Sequence, residues 1–247
     1  MERDEGSAVM THFLYCYKDD GHDGQELRYS LRSLETYWQD EIDITIVGPL
    51  PSWMTGVTQV EPRTDSVSVH NVLTGVLRGA RNLLERGIEE AVYMDDDYVL
   101  MDPADKVFPI YVSRWDTFYL KRNRLWENDF QWFLNAMDVT QRIVGKFPGS
   151  LCFEAHRPMP FEPERAVKLL SNFEDISGEK SPFWRSTYGN LALPREAAVL
   201  ARDVRAVPSF KPGSAWASTD AGKSFDGAVA KKLQQWFPTP SRWERDV

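Results

Sequence analysis

The sequence predicts an α/β fold in which helices flank a mostly parallel sheet within a single domain. Three short apolar segments are typical of buried strands: 11–17 (THFLYCY), 42–48 (IDITIVG) and 91–94 (AVYM). Two segments between them, 25–38 and 68–87, carry apolar residues at the three-to-four spacing of an amphipathic helix. This alternation of strand and helix over about 80 residues favours crossover connections and parallel pairing.

The remainder of the chain is less regular and predicts fewer elements. Segments 161–175 and 227–237 have helical patterns, and two prolines follow the second of them. The sequence contains no internal repeat and no low-complexity linker. We therefore expect residues 1–10 to be a disordered lead-in and residues 11–247 to form one domain, in which the irregular second half builds the wall of a cleft.

Composition argues against several classes of protein. The 247 residues suffice for one sizeable core, and the net charge of −8 argues against a generic nucleic-acid binder, which carries a basic excess. No run approaches the ~18 apolar residues of a membrane span, and the N-terminus lacks the apolar core of a signal peptide, so we expect a cytoplasmic protein. Cys16 and Cys152 lack metal-site spacing, and we expect both to be buried, reduced and structural.

Acidic residues follow two of the predicted strands. Residues 18–23 come after the first strand, and Asp95, Asp96 and Asp97 come directly after the third. Ligands of parallel sheets bind beyond the carboxyl ends of the strands, so we expect both acidic segments at one edge. Adjacent carboxylates repel each other by about 1 kcal/mol per pair at 4 Å even in water, and Mg²⁺ or Mn²⁺ would relieve this repulsion. The alternative is a solvated turn, although apolar residues flank the triplet on both sides.

One histidine is well placed for chemistry, and no other catalytic motif competes with it. Dinucleotide-binding glycine motifs, a P-loop, HExxH and GxSxG are all absent from the sequence. His156 lies in CFEAHRPMPFEP, where Pro158 and Pro160 stiffen the backbone behind it. It is a candidate general base or phosphate contact, and the alternative is a hydrogen-bonded histidine at a strand end.

Several segments resemble one protein family. Residues 26–54 (ELRYSLRSLETYWQDEIDITIVGPLPSWM) resemble the second conserved block of the Stealth proteins, capsular-polysaccharide sugar-phosphate transferases related to the lysosomal-enzyme N-acetylglucosamine-1-phosphotransferase. The aspartate triplet resembles the family's N-D-D motif with Asp in place of Asn, and residues 156–158 (HRP) resemble its His-x-Pro. Arg185 resembles a following arginine, and 237–244 (FPTPSRWE) resembles the terminal signature. Shorter bacteriophage proteins of this pattern are usually called glycosyltransferases.

The resemblance implies a glycosyltransferase A-like, Rossmann-type fold with a nucleotide-binding half over 11–103 and an acceptor half over 104–247. It implies a nucleotide-sugar donor, Mn²⁺ or Mg²⁺ as cofactor, and an acceptor that is a protein or a glycan, with nucleic acid less favoured. Because the first Stealth block is reduced here to FLYCYKDDGHDG, two chemistries stay open: glycosyl transfer and sugar-1-phosphate transfer. A non-catalytic carbohydrate-binding or assembly protein is a further alternative. If a phage encodes the chain, we expect it in the host cytoplasm.

The residues that this interpretation assigns fall into three groups. The metal ligands are Asp95 and Asp97; the nucleotide-sugar contacts are Tyr17, Lys18, Asp20, Arg28, Asn71 and Asp96; the catalytic candidates are His156 as base, Arg185 as phosphate clamp and Asp220 as a second possible base. For Arg28 the alternative is a surface salt bridge, and Asn71 matches the family only loosely.

One further segment has a distinct composition. Residues 114–126 (RWDTFYLKRNRLW) are locally basic and aromatic, which is the combination that holds phosphates and stacks bases of a nucleic acid. An acceptor loop or an ordinary amphipathic surface explains the same composition.

Overall fold

The computed structural model describes residues 10–19, 23–62, 68–121, 131–176, 180–201, 216–219 and 225–245. Its strands are β1 (Met10–Cys16), β2 (Glu41–Val47), β3 (Thr58–Val60), β4 (Ala91–Met94), β5 (Tyr98–Leu100), β6 (Ile110–Tyr111), β7 (Ser113–Arg114), β8 (Leu151–Cys152), β9 (Met159–Phe161), β10 (Val199–Leu200) and β11 (Trp216–Ser218). Its α-helices are α1 (Gln25–Tyr37), α2 (Ser68–Glu85), α3 (Trp115–Leu120), α4 (Gln131–Val144), α5 (Pro163–Leu170), α6 (Trp184–Ala192) and α7 (Ala230–Trp236).

The central sheet has the strand order β3-β2-β1-β4-β9. The first four of these strands are parallel, and β9 joins β4 in the antiparallel direction. Leu14 of β1 lies opposite Thr45 of β2 on one side and Tyr93 of β4 on the other. The α/β prediction with a mostly parallel sheet is therefore confirmed. Because the chain runs outward from β1 to β3 and then returns to the other side of β1, the strand order reverses between β1 and β4.

Helix α1 covers one face of the sheet through a single apolar stripe. Leu27, Leu31 and Leu34 recur at helical spacing and are fully buried in one cluster with Phe13 of β1. Burial of each such side chain is worth about 1.5–3 kcal/mol. The helix begins after Gly24, whose φ of +63° is a left-handed conformation that glycine adopts without steric cost.

Helix α2 covers the opposite face and lies close to β1. Its buried residues pack with Leu14 of β1 and Tyr93 of β4. A Cβ atom added at Gly79 would lie 2.4 Å from a methyl carbon of Leu14, and one added at Gly75 would lie 2.7 Å from the sulfur of Cys16. Small residues at these two positions therefore allow the helix to approach the strand.

The second half of the chain departs from the predicted elements in length. The helix predicted over 161–175 is shorter, because Phe161 belongs to β9 and Pro163 begins α5. The helix predicted over 227–237 begins only at Ala230, after an irregular turn in which Gly227 has non-helical dihedral angles. Strand β9 shows that the predicted acceptor half completes the central sheet.

The expectations for the cysteines, the N-terminal segment and membrane-spanning helices have different outcomes. Both cysteines are free thiols, but only Cys152 is buried. Cys16, the last residue of β1 at the carboxyl end of the strand, is half-buried, so the expectation that both thiols are buried is wrong for Cys16. Met10 already belongs to β1, and the rest of the predicted lead-in lies outside the described residues. Within the described ranges, no helix is both long and apolar enough to cross a membrane.

Candidate active site

Two chain segments leave the sheet side by side at its carboxyl edge. Tyr15 of β1 lies opposite Met94 of β4 in parallel register, so the residues after Cys16 and the aspartates after Met94 emerge next to each other. This is also the place where the strand order reverses, and ligands of open α/β sheets bind at such a reversal. The described parts of the two predicted acidic segments therefore lie at one edge.

Asp95, which is half-buried, forms an ion pair with the buried Arg185. The guanidinium Nη2 donates to Asp95 Oδ2 at 2.6 Å, and the Tyr93 hydroxyl donates to Oδ1. Burial would raise the pKa of Asp95, but the charge of Arg185 and the hydrogen bonds from Tyr93, Tyr98 and Arg185 outweigh it and lower the pKa. Asp95 is therefore an ionised carboxylate with both oxygens engaged by protein donors.

Arg185 belongs to the first turn of α6 and is held on several sides. Its Nη2 also donates to the Tyr98 hydroxyl at 2.8 Å, and its Nη1 donates to the Ala155 carbonyl at 3.2 Å. The guanidinium carbon lies 5.0 Å from the ring centre of Tyr93 and 5.6 Å from that of Tyr98. With a residue exposure of 8%, this arginine is fixed inside the site.

Asp97 is the most buried of the three aspartates and accepts a hydrogen bond from β11. The Ser218 hydroxyl donates to Asp97 Oδ2 at 2.5 Å, and Thr219 N donates to the Asp97 carbonyl at 2.9 Å. Burial and the charge of Asp95 raise the pKa of Asp97 to about 7, and the Ser218 hydrogen bond and nearby His156 only partly oppose this. Asp97 is thus a carboxyl group that exchanges its proton near neutral pH.

Glu26 is a fourth acid of this cluster that sequence reasoning did not assign. It lies in the first turn of α1, is 6% exposed, and accepts a hydrogen bond from the Thr219 hydroxyl at 2.5 Å. Burial, then Asp97, Asp95 and Glu26, raise the pKa of Asp96 well above its usual value. The only sequence signal for Glu26 was its place as the first residue of the 26–54 segment.

His156 and Glu154 lie on the loop that follows β8. His156 is half-buried, and its electrostatic interaction with Asp97, which lowers the pKa of that carboxyl group, places it beside the aspartate cluster. Glu154 Oε1 accepts hydrogen bonds from the Ser186 amide at 3.0 Å and the Ser186 hydroxyl at 2.8 Å. Burial raises the pKa of Glu154, although Arg185 and Ser186 act in the opposite direction.

Arg28 contacts the C-terminal segment of the chain. Its guanidinium carbon lies 4.6 Å from the Trp53 ring centre, and its Nε lies 3.5 Å from Glu244 Oε2. Arg32, one turn further along α1, forms a two-pronged pair with the same carboxylate at 2.7 Å for each bond. The structure thus shows the ion pair that was the alternative for Arg28, in a partly buried form. The segments 26–54 and 237–244, which carry the resemblance, pack against each other.

The remaining predicted residues are spread more widely. Tyr17 is buried and Lys18 is exposed after β1, and Asn71 lies in the first turn of α2. Asp20 and Asp220 lie outside the described residues. Of the basic segment 114–126, only residues 114–121 are described.

Two of the cavities formed by the described residues bear on ligand binding. One of about 160 Å³ lies at the carboxyl ends of β1 and β2, where Tyr17, Asp19, Asp23 and residues 49–52 line it. A larger one of about 390 Å³ lies at the opposite edge, beside the start of β1 and of β4. The carboxylates and Arg185 lie at the carboxyl edge, where ligands of open α/β sheets bind, and the larger cavity is remote from them.

The carboxylate oxygens at this edge are the type of ligand that a hard divalent cation prefers. Carboxylate oxygens are what Mg²⁺ and Mn²⁺ prefer, and such ions are usually held by one or two carboxylates together with water and substrate phosphates. Among the described residues, no group of three or more His, Cys, Asp and Glu side chains is arranged to hold a metal by itself. The aspartates therefore fit a shared site, which a diphosphate would complete.

Comparison with known proteins does not assign the chain to a family. No protein-family model matches the sequence, and the search of curated proteins found no match. Among solved structures, one match is titled "WbbM bifunctional glycosytransferase apo structure", with 9% sequence identity and a TM-score of 0.47. The match covers 81% of this chain but only 40% of that one, so this chain spans about two fifths of its length. A likeness this distant carries no functional argument.

Proposed function

We propose that this protein is a metal-dependent glycosyltransferase that moves a sugar from a nucleoside diphosphate sugar to an acceptor. The observation that carries the proposal is the convergence of Asp95, Asp96, Asp97 and Glu26 with Arg185 at the strand-order reversal. Four acids against one arginine leave an excess of negative charge when they are ionised. A divalent cation would offset that excess, and a diphosphate would supply further ligands to the cation. The position at the carboxyl edge matches where nucleotides bind in such sheets.

We propose that the donor lies along this edge in a defined order. The small cavity beside Tyr17 and Asp19 is the candidate place for the nucleoside, because it joins the ends of β1 and β2. The diphosphate would then extend toward Asp97, which follows β4, the strand next to β1. Asp97 is the residue that would hold Mn²⁺ or Mg²⁺, which when bound acts as a Lewis acid for the departing diphosphate. We propose Asp96 as its second ligand in place of the predicted Asp95, because both oxygens of Asp95 accept bonds from Tyr93 and Arg185.

The chain's own residues have separate tasks in this mechanism. Arg185 pairs with Asp95 at 2.6 Å and so fixes the position of that carboxylate within the cluster. His156, on the neighbouring loop, is the candidate base that takes the proton from the acceptor hydroxyl as that oxygen attacks the anomeric carbon. The bond from the anomeric carbon to the β-phosphate oxygen breaks, and nucleoside diphosphate leaves.

Sugar-1-phosphate transfer is the second candidate. It is favoured by the combination of an arginine and a histidine beside the aspartates, since attack at the β-phosphorus requires stabilisation of charge on that phosphate. In that reaction the bond between the two phosphates breaks and nucleoside monophosphate leaves. We favour glycosyl transfer, because the Arg185 charge is already balanced by Asp95 at 2.6 Å and is less available as a phosphate clamp.

A donor panel tests the proposal directly. The protein is incubated with a range of nucleotide sugars and Mn²⁺, with and without EDTA, and the released nucleotide is identified. Nucleoside diphosphate supports glycosyl transfer, and monophosphate supports sugar-phosphate transfer. The Asp97→Asn variant is expected to lose release, whereas Asp116→Asn, at an exposed acid paired with Arg114, is the matched control.

Absence of release with every donor would overturn the enzymatic proposal. Retention of binding to a nucleotide sugar or a glycan without turnover would then support the non-catalytic binding protein. EDTA-resistant turnover would refute the metal requirement while leaving the transferase proposal in place.

A further inference from the structure

Helix α6 carries Arg185 in its first turn, but the residue before the helix does not cap it. Phe183 occupies the N-cap position and makes no side-chain capping bond. The first amides of a helix have no partner within the helix and need one from elsewhere. Here the partner comes from a distant loop, since Ser186 N donates to Glu154 Oε1 at 3.0 Å.

The Ser186 hydroxyl adds two further hydrogen bonds between the helix and the loop. Its hydroxyl donates to the same Glu154 oxygen at 2.8 Å and accepts a bond from Phe153 N at 3.1 Å. Ser186 is fully buried and Glu154 is half-buried, so these bonds are partly shielded from bulk water. An acidic group at a helix N-terminus also complements the positive end of the helix dipole.

The next residue of the loop holds the guanidinium itself. The Ala155 carbonyl accepts from Arg185 Nη1 at 3.2 Å and lies 3.4 Å from the Tyr98 hydroxyl. One turn further along the helix, a Cβ atom added at Gly189 would lie 2.5 Å from the Phe153 ring, so helix and loop are in close contact there as well. The loop over 153–155 thus fixes α6 at its amide end, at the guanidinium and at its surface.

We propose that Glu154 is a positioning residue, which fixes Arg185 against Asp95 by capping α6 from the loop that also carries His156. This inference rests on the proposed function in so far as Arg185 and His156 act there. Its consequence is that the arginine and the histidine, 29 positions apart in the numbering, are held as one unit. Displacement of such a group by about 1 Å lowers turnover by as much as about 100-fold.

Four variants separate positioning from simple stability. Glu154→Ala removes the cap, whereas Glu154→Gln keeps an oxygen that accepts both Ser186 bonds. Ser186→Ala removes the two hydrogen bonds of the serine hydroxyl and keeps the amide that donates to Glu154. Glu162→Ala is the matched control, because this half-buried glutamate precedes α5 and pairs with Arg165 at 3.0 Å, away from the aspartates.

Kinetics with the nucleotide sugar found in the donor panel give the first readout. For Glu154→Ala we expect kcat to fall about 10- to 100-fold, with the donor KM changing less than about 3-fold, because the loss is in alignment. Glu154→Gln should recover most of this loss, and Ser186→Ala should fall between them. An equal loss in the Gln and Ala variants would overturn the positioning role.

The side-chain Nε–H signal of Arg185 in a ¹⁵N-correlation spectrum gives a second readout that needs no activity. The signal is assigned by its absence in Arg185→Lys. We expect it to shift or broaden in Glu154→Ala and to persist in Glu154→Gln and in the Glu162 control. An unchanged signal in Glu154→Ala would overturn the proposal, even if kcat falls. If wild-type protein turns over no donor, the proposed function fails, and this spectrum still decides the positioning role.

Discussion

Replacement of Asp97 by Asn tests the electrostatics of the carboxylate cluster without any substrate. Asp97 is 6% exposed, and the amide oxygen of Asn keeps an acceptor for the Ser218 hydroxyl. The substitution therefore removes the charge and retains the shape and the main hydrogen bond. Burial and the neighbouring charge of Asp95, which raise the pKa of Asp97 to about 7, are the effects under test.

The sign and size of the effect follow from linkage. In the unfolded chain the carboxyl titrates near its ordinary pKa of 3.8, and in the folded protein it titrates near a pKa of about 7. Between these pH values the folded state binds more protons, so the free energy of unfolding falls as pH rises. Below pH 3.8 the carboxyl group is protonated in both the folded and the unfolded protein, so it has no effect on stability. Above a pH of about 7 it is ionised in both states, and the folded protein bears the full cost of the buried charge. At about 1.4 kcal/mol for each pH unit, the interval corresponds to about 4 kcal/mol.

Urea unfolding at pH 4.5 and pH 8 measures this difference. We expect Asp97→Asn to exceed the wild type by about 4 kcal/mol at pH 8, or on the order of 10 °C in Tm, and by much less at pH 4.5. The exposed Asp116→Asn variant should follow the wild type throughout. Stability profiles of Asp97→Asn and wild type that stay parallel from pH 4.5 to pH 8 would refute the reasoning.

Three further substitutions test the packing around the site. Arg185→Met leaves Asp95 without its counter-ion and should destabilise the fold by about 3–5 kcal/mol in urea unfolding at pH 8, with a smaller loss at pH 4 as Asp95 becomes protonated. Glu244→Gln breaks the pair with Arg32 and should cost about 3 kcal/mol by the same assay, with kcat per folded molecule unchanged. Gly79→Ala forces a leucine of β1 to move and should lower stability by about 1–3 kcal/mol, seen as a lower Tm.

The elements that could be predicted are those with a long, regular pattern. Helix α1 was predicted over 25–38 and spans Gln25–Tyr37, and the predicted strand 42–48 spans Glu41–Val47. Strands of two or three residues were not predicted, because so short a segment shows no periodicity. β3, which extends the sheet beyond β2, has the sequence TQV and owes its conformation to pairing with its neighbour.

The site was predictable only where chemistry is concentrated in one stretch of sequence. Three adjacent aspartates after a strand were visible in the sequence, and the parallel topology fixes their edge. The bond between Thr219 and Glu26 joins residues 193 positions apart, and the cap of Ser186 by Glu154 spans 32. Such contacts depend on how distant elements meet, which no local pattern contains.

The structure gives Asp95 and Asp97 different tasks, although the sequence pattern D-x-D treats them alike. Both oxygens of Asp95 accept bonds from the protein, from Tyr93 and Arg185, and its lowered pKa favours the ionised form at neutral pH. Asp97 has one oxygen bonded to Ser218 and a pKa of about 7, so its charge depends on what binds beside it. A cation that binds the ionised carboxylate must displace the proton that Asp97 holds in part of the molecules at neutral pH, so cation binding at Asp97 depends on pH. In the proposed mechanism Asp95 orients Arg185, and Asp97 is the carboxylate whose charge would change when the cation binds.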